Sequence, residues 1–352
     1  MYSGGHPALG TFALSVAAFG SYKSGPGQLV FEAPLVFSKV EMFSRFVPVT
    51  YGALALGAAG VGAWGASGHQ AVGFIAMQFL SPNALSFVQT SLGAEFDESL
   101  GVAATWADEV RSQAAFAWSA DLHFVDAEDS PPASCSVSET RDCANGFCVL
   151  TAIANYTTRV VDTKLSAVQR QEALKFLDHF IGDIGQPLHV EAEALGGNQI
   201  SAKCNGASTN LHSAWDSGII NRLLSTTQGN SVDNWVNTLV ARIKSGAYKS
   251  LASSWLSCSS TTQPARKRSL EDDISGILRP RAITPLECPL VWAAESNKLD
   301  CSTVFTFTSG QDLCTGTYFN NAVPAIELQI AKQGFRLAAW LNVLFDGATN
   351  LP

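Results

Sequence analysis

The sequence predicts an all-α fold, a single mainly helical domain stapled by disulfides. Three observations carry that prediction. Downstream of residue 64 apolar residues recur at helical spacing, strand-like alternation is scarce, and the eight cysteines are an even number suited to bridges. A hydrophobic content of 47% gives 352 residues ample material for a core.

The elements follow in chain order. The segment Met42 to Ala63 reads as a signal peptide: Arg45 supplies the positive start, Val47 to Gly60 is apolar and small, and Val61 and Ala63 occupy the small-residue positions before a cut. The apolar run is short for a membrane span, and no stop-transfer charges follow it. Residues 1–63 are thus read as a leader of 41 upstream residues plus the signal at 42–63, and 64–352 as the working domain. Val72, Ile75, Ala76 and Phe79 form the first helical face, and Leu174, Leu177, Phe180 and Ile181 a later one. Further helices are expected at Asn83 to Leu92, Val149 to Val161, Asn210 to Leu224, Val232 to Ser245 and Asn320 to Leu344. Residues 259–285 change composition to Ser, Thr, Arg and Pro, and carry Arg266-Lys267-Arg268, so they read as an exposed basic loop. The triplet is either a cutting site at Arg268 or a solvated charge run.

Charge excludes one class of function. With 22 basic against 30 acidic residues the net charge is −8, which is not a basic surface of the usual nucleic-acid-binding kind. Removal of the leader takes Lys23, Lys39 and Arg45 with Glu32 and Glu41, so 22 and 30 become 19 and 28, a net of −9. Export agrees with the cysteines and with the sequon Asn155-Tyr156-Thr157, a candidate glycan site.

The chemistry lies in the histidines. His179 and Asp183 are four apart and share one helix face, His189 follows past a Gly-Pro break, and His212 with Asp216 repeats the spacing. Asp108 and His123 lie fifteen apart upstream, and His69 is five residues from Trp64. Imidazole and carboxylate without thiolate are the ligands of catalytic zinc. The set exceeds the four ligands of a structural site. It therefore suggests clustered ions, which hydrolyse phosphate esters by clamping the attacking and leaving oxygens.

The motifs W-x4-H, T-W-A-D, L-H-F-V-D, H-F-I-G-D-x-x-Q-P-L-H and N-L-H-x3-W-D occur in that order from Trp64 onward. In these the chain resembles the zinc-dependent single-strand nucleases of fungi and plants, the S-one and P-one nucleases. The resemblance implies a mainly helical fold shared with the three-zinc phospholipases C, and three Zn²⁺ per mature chain. One ion would be held by Asp108, His123, His179 and Asp183. A second would be held by the freed amino nitrogen and carbonyl of Trp64, by His69 and by Asp183 as a bridge. His189, His212 and Asp216 would hold the third. Asp108 and Asp183 would be catalytic through the ions, with Arg111 beside the reacting phosphate. Phe124 is similar to a base-stacking aromatic and Asp126 to a base-contacting carboxylate. Ser217 departs from the Asn often found in the family.

The implied activity is a secreted endonuclease of single-stranded DNA and RNA that leaves 5′-phosphates and also acts on 3′-mononucleotides. It would be a monomer with no stable protein partner and no membrane association. The implied bridges are Cys143–Cys148 and Cys135–Cys301. Cys204, Cys258, Cys288 and Cys314 exceed them, and a Cys258–Cys288 bridge would bracket the basic loop. A three-zinc phospholipase C and a catalytically silent secreted zinc protein stand as alternatives.

Overall fold

A computed structural model describes residues 64–257 and 287–352, and helices make up most of them. The first, α1 (Ala66–Met77), begins two residues after Trp64. It buries Gly68, His69, Ala71, Val72, Gly73, Ile75 and Ala76, so it is surrounded on nearly every side. Helix α2 (Pro82–Leu92) has proline in its first turn, where a missing N–H costs nothing. Its N-cap Ser81 donates its amide to Asn342 Oδ1 at 2.7 Å. A single turn at Leu100–Ala103 precedes the short α3 (Trp106–Val110).

Helix α4 (Val149–Val161) matches the expected bounds, and α5 (Ala167–Asp183) is the core of the molecule. A capping box opens α5: Ser166 Oγ accepts Gln169 N at 3.3 Å, and Gln169 Oε1 accepts Ser166 N at 3.1 Å. From Ala173 to Asp183 every α5 residue is buried. Pro187 prevents continuation beyond the Gly185 break.

The expectation of a continuous helix over 210–224 is corrected. Leu211–Ser213 forms one α-turn, Ala214–Gly218 is π-helical, and only then does α6 (Ile219–Thr227) begin. Helix α7 (Val232–Lys244) is capped by Ser231, whose hydroxyl accepts Asn234 N at 3.1 Å. Helix α8 (Glu287–Ser302) follows the undescribed stretch, and α9 (Gly316–Asp346) runs for 31 residues. Helix α9 packs on α1, α2, α5, α6 and α7. Its closest approach is at Gly334, where an added Cβ would sit 2.6 Å from Ile75 of α1, so only hydrogen fits.

The scarcity of strands holds among the described residues. Ser201–Cys204 pairs antiparallel with Ala207–Asn210, the register running from Ser201 opposite Asn210 to Cys204 opposite Ala207. Asn205 and Gly206 turn the hairpin with φ of 51° and 79°, the positive values that Asn-Gly accommodates. Asp312 braces the turn by accepting Asn205 N, Gly206 N and Cys314 N at 3.0, 2.6 and 2.9 Å.

Disulfides join Cys135 to Cys301, Cys143 to Cys148 and Cys204 to Cys314. The third was not anticipated. It ties the hairpin to the segment that leads into α9. Cys288 is also disulfide-bonded, while Cys258, the expected leader 1–63 and the whole of the expected basic loop at 259–285 lie outside the described residues. None of the described helices is long and apolar enough to cross a membrane.

Candidate metal centre

Six separate segments deliver the histidines and aspartates to one buried region. Helix α1 contributes His69, α3 contributes Asp108, and the 3₁₀ turn Ala117–His123 ends on His123. The last two turns of α5 carry His179 and Asp183, and the 3₁₀ turn Pro187–Val190 carries His189. His212 and Asp216 come from the α-turn and the π-helical turn before α6. Their donor atoms form three groups: His69, His179 and Asp183; Asp108, His123 and His179; and His189, His212 and Asp216.

Asp183 lies between the first two groups and uses both oxygens. Its Oδ1 is 3.2 Å from His69 Nε2, while its Oδ2 is 3.1 Å from His123 Nδ1 and 3.4 Å from His179 Nε2. Asp108 Oδ1 lies 3.6 Å from His179 Nε2 and 3.7 Å from His123 Nδ1. In the third group His212 Nε2 is 3.2 Å from Asp216 Oδ2. Two ligands on one tetrahedral zinc at about 2.05 Å are separated by about 3.3 Å, so these spacings suit a shared ion.

Backbone contacts set which ring nitrogen faces inward. His179 Nδ1 donates to Ala104 O at 2.6 Å, His189 Nδ1 to His123 O at 2.8 Å, and His212 Nδ1 to Gly196 O at 2.6 Å. Each Nε2 lone pair is thereby left for a ligand. Residue packing agrees: an added Cβ on Gly182 would meet His69 Nδ1 at 2.8 Å, and the His69 ring stacks on His179 at 3.8 Å.

The donor atoms fit cations. Among the described residues the Nε2 atoms of His69, His179 and His189 are buried without a hydrogen-bond partner, as are Asp108 Oδ1 and Asp183 Oδ1. Buried polar groups left this way are costly unless something else binds them. Burial pulls His69 and His123 well below the ordinary imidazole range, with the nearby His179 adding to it, so both rings are neutral and free to act as ligands. Burial and the neighbouring His212 bring His189 down to about 3. Burial pushes Asp183 well above the carboxylate range, against the opposing pull of His179. Asp108 runs the other way, because His179, His69 and Arg111 outweigh its burial and hold it well below that range. For His179 burial opposes charge, but Asp183 and Asp108 outweigh it and raise the ring to about 9. The two carboxylates call for positive charge at this point, which a proton or a divalent cation can supply.

The other candidate residues lie around this centre. Arg111 Nη1 is 3.4 Å from Asp108 Oδ1, one turn on, and its side chain reaches solvent. Phe124 follows His123 directly and is half-buried, and Asp126 is exposed. Trp64 is fully buried, and the amide of Gly65 donates to Asp216 O at 2.8 Å, which pins the start of the domain to the third group. Ser217 is half-buried beside Gly65. Asn155 is exposed, but on α4 rather than on a loop, and Thr157 of the sequon is buried as the acceptor for Trp340 Nε1 at 2.8 Å. One buried residue had no assigned role in the sequence reading. Gln186 donates from Nε2 to Asp216 Oδ1 at 2.6 Å. Its only signal was its place between the two histidines of the longest motif.

Fold and centre together define a helical protein with three neighbouring His/Asp groups that could each hold a metal ion. The profile of the S1/P1 nuclease family matches residues 64–346. Nuclease P1 of Penicillium citrinum is 42% identical over 268 residues, 75% of this chain and 91% of that protein. Nuclease PA3 of a Penicillium species gives the same figures, and nuclease S1 of Aspergillus oryzae is 34% identical over 304 residues, 85% of this chain and 98% of that protein. The chain belongs to the S1/P1 nuclease family and is a nuclease, a hydrolase.

Proposed function

We propose that the chain is a secreted zinc-dependent endonuclease that hydrolyses single-stranded DNA and RNA to 5′-phosphate products and also removes phosphate from 3′-mononucleotides. One observation carries the reading: two His/Asp donor groups share His179, Asp183 of the first lies 3.1 Å from His123 of the second, and a third group stands beside them. The donor set is imidazole and carboxylate alone, which is zinc's chemistry, and neighbouring cations suit phosphodiesters.

In this reading one zinc is held by Asp108, His123, His179 and Asp183. A second takes the amine and carbonyl of Trp64, His69 and Asp183, and a third takes His189, His212 and Asp216. The amine exists only if the chain is cut after Ala63, so the mature enzyme starts at Trp64. Bound zinc supplies a water acidified to a pKa of about 7 and Lewis acidity toward phosphoryl oxygens.

The chain's own residues do the rest. Asp108 restrains the Arg111 guanidinium at 3.4 Å, and Arg111 counters charge that develops on the phosphate. Phe124 stacks on a base for about 1–3 kcal/mol, and Asp126 accepts a hydrogen bond from its edge. Both contacts need an unpaired base. Single-strand selectivity follows. Export to an oxidising compartment agrees with the disulfides.

The test combines N-terminal sequencing of secreted protein, metal analysis, and assays on single-stranded DNA, RNA, duplex DNA and phosphatidylcholine. The expected outcome is Trp64 as the first residue, close to three zincs per chain, and cleavage confined to single strands. Hydrolysis of phosphatidylcholine instead would identify a phospholipase. Three zincs without any hydrolysis would identify a silent zinc protein.

A further inference from the structure

Gln186 sits where the chain passes from the α5 pair to the third donor group, and all of its polar atoms are engaged. Its amide N–H donates to Asp183 O at 2.9 Å, and its carbonyl accepts His189 N at 3.0 Å. Its side chain is fully buried. Oε1 accepts Leu188 N at 2.6 Å and so caps the 3₁₀ turn that carries His189. That bond fixes the orientation of the side-chain amide, because an oxygen is required opposite a backbone N–H. Nε2 must then be the atom that meets Asp216 Oδ1 at 2.6 Å.

The consequence falls on Asp216. With Oδ1 occupied by a neutral donor, Oδ2 is the oxygen turned toward His212 Nε2 at 3.2 Å. The carboxylate has no freedom to rotate away. Asp216 lies in a π-helical turn, a rare geometry frequent at functional sites, and Gln186 is the side chain that restrains its carboxylate there.

We propose that Gln186 is the positioning residue of the third metal site: its Nε2 aims Asp216 at the ion while its Oε1 caps the turn that carries His189. The inference rests on the reading of His189, His212 and Asp216 as metal ligands. Residues that orient ligands from behind typically set metal affinity by about 10–100-fold.

The test is zinc binding by the mature chain, measured as ions retained at buffered free zinc, with the visible spectrum of the Co²⁺-substituted protein as a second readout. Two variants separate the two functions of the side chain. Gln186→Glu keeps an acceptor for Leu188 N but removes the donor to Asp216. Gln186→Met removes both. The expected result is that each variant weakens one of three ions by at least about tenfold and leaves two in place, with the Co²⁺ spectrum losing one component. Three ions held within about twofold of wild-type affinity by both variants would overturn the proposal. Loss in Gln186→Met alone would overturn it too, because only the turn cap would then matter. A wild-type chain that never binds a third ion would instead refute the ligand reading itself.

Discussion

Asp300 is a buried charge problem outside the metal centre. It lies on α8, fully buried, and neither carboxylate oxygen has a hydrogen-bond partner among the described residues. Burial pushes it well above the carboxylate range, and the charges of Glu191 and Asp129 push it further. Those two are themselves close. Glu191 is raised to about 8, first by burial, and Asn297 Nδ2 ties the site to Asp129 Oδ2 at 2.9 Å. Because the folded pKa of Asp300 exceeds its unfolded value of about 3.9, its stabilisation is complete below that value and is lost as pH rises through the folded one. Asp300→Asn removes the titration and keeps the shape. The melting temperature of the variant should therefore gain on wild type steadily above about pH 4, with the widest gap in the alkaline range. Parallel melting curves across pH 4–9 would refute the assignment.

Helix α5 shows how far the elements were legible. The spacing of His179 and Asp183 fixes them on one face whatever surrounds the helix, and the structure indeed sets Nε2 3.4 Å from Oδ2. The matching spacing of His212 and Asp216 misled on local structure. Their side chains meet at 3.2 Å, but across an α-turn and a π-helical turn, whose extra residue per turn is imposed by packing that no local periodicity encodes. The hairpin had a local signal, Asn205-Gly206, yet its flanks are too short and polar to alternate. The Cys204–Cys314 bridge depends on that hairpin meeting the chain before α9, a contact 110 residues apart. Gln186 was hidden for the opposite reason. Its partner Asp216 is 30 residues away, and a buried glutamine has no pattern of its own.

Gly182 in α5 gives a test at the same scale. By helix propensity alone, Gly182→Ala should stabilise by about 1 kcal/mol. The added methyl would instead face His69 Nδ1 of α1 at 2.8 Å, and that ring cannot yield, being stacked on His179 at 3.8 Å. Overpacking of about 1–3 kcal/mol exceeds the propensity gain. The variant should melt lower than wild type and release one zinc more readily, since His69 leaves its position over Asp183. A higher melting temperature with full zinc content would show that α1 and α5 separate without cost.

At the scale of the whole molecule the question is how an acidic protein handles a polyanion. The full chain carries −8, and residues 64–352 carry −9. A long basic track is absent from the candidate site, whose named cation among the side chains is Arg111. Three divalent ions would add six positive charges at one buried point, while the rest of the surface stays negative. Attraction is then local and short in range, because charges farther than about 8–10 Å are screened at moderate salt. For single strands each neutralised phosphate contributes about 0.7 to the slope of log K against log salt. An enzyme that grips two or three phosphates should show a slope of about −1.4 to −2.1, measured with zinc-loaded protein and a non-cleavable single strand between about 50 and 300 mM salt. A slope steeper than about −5 would mean an extended basic surface, for which Arg266, Lys267 and Arg268, outside the described residues, are the basic run of the sequence to test. Neutralising those three residues and repeating the titration separates the two cases, since a cleft-centred mechanism leaves the slope unchanged.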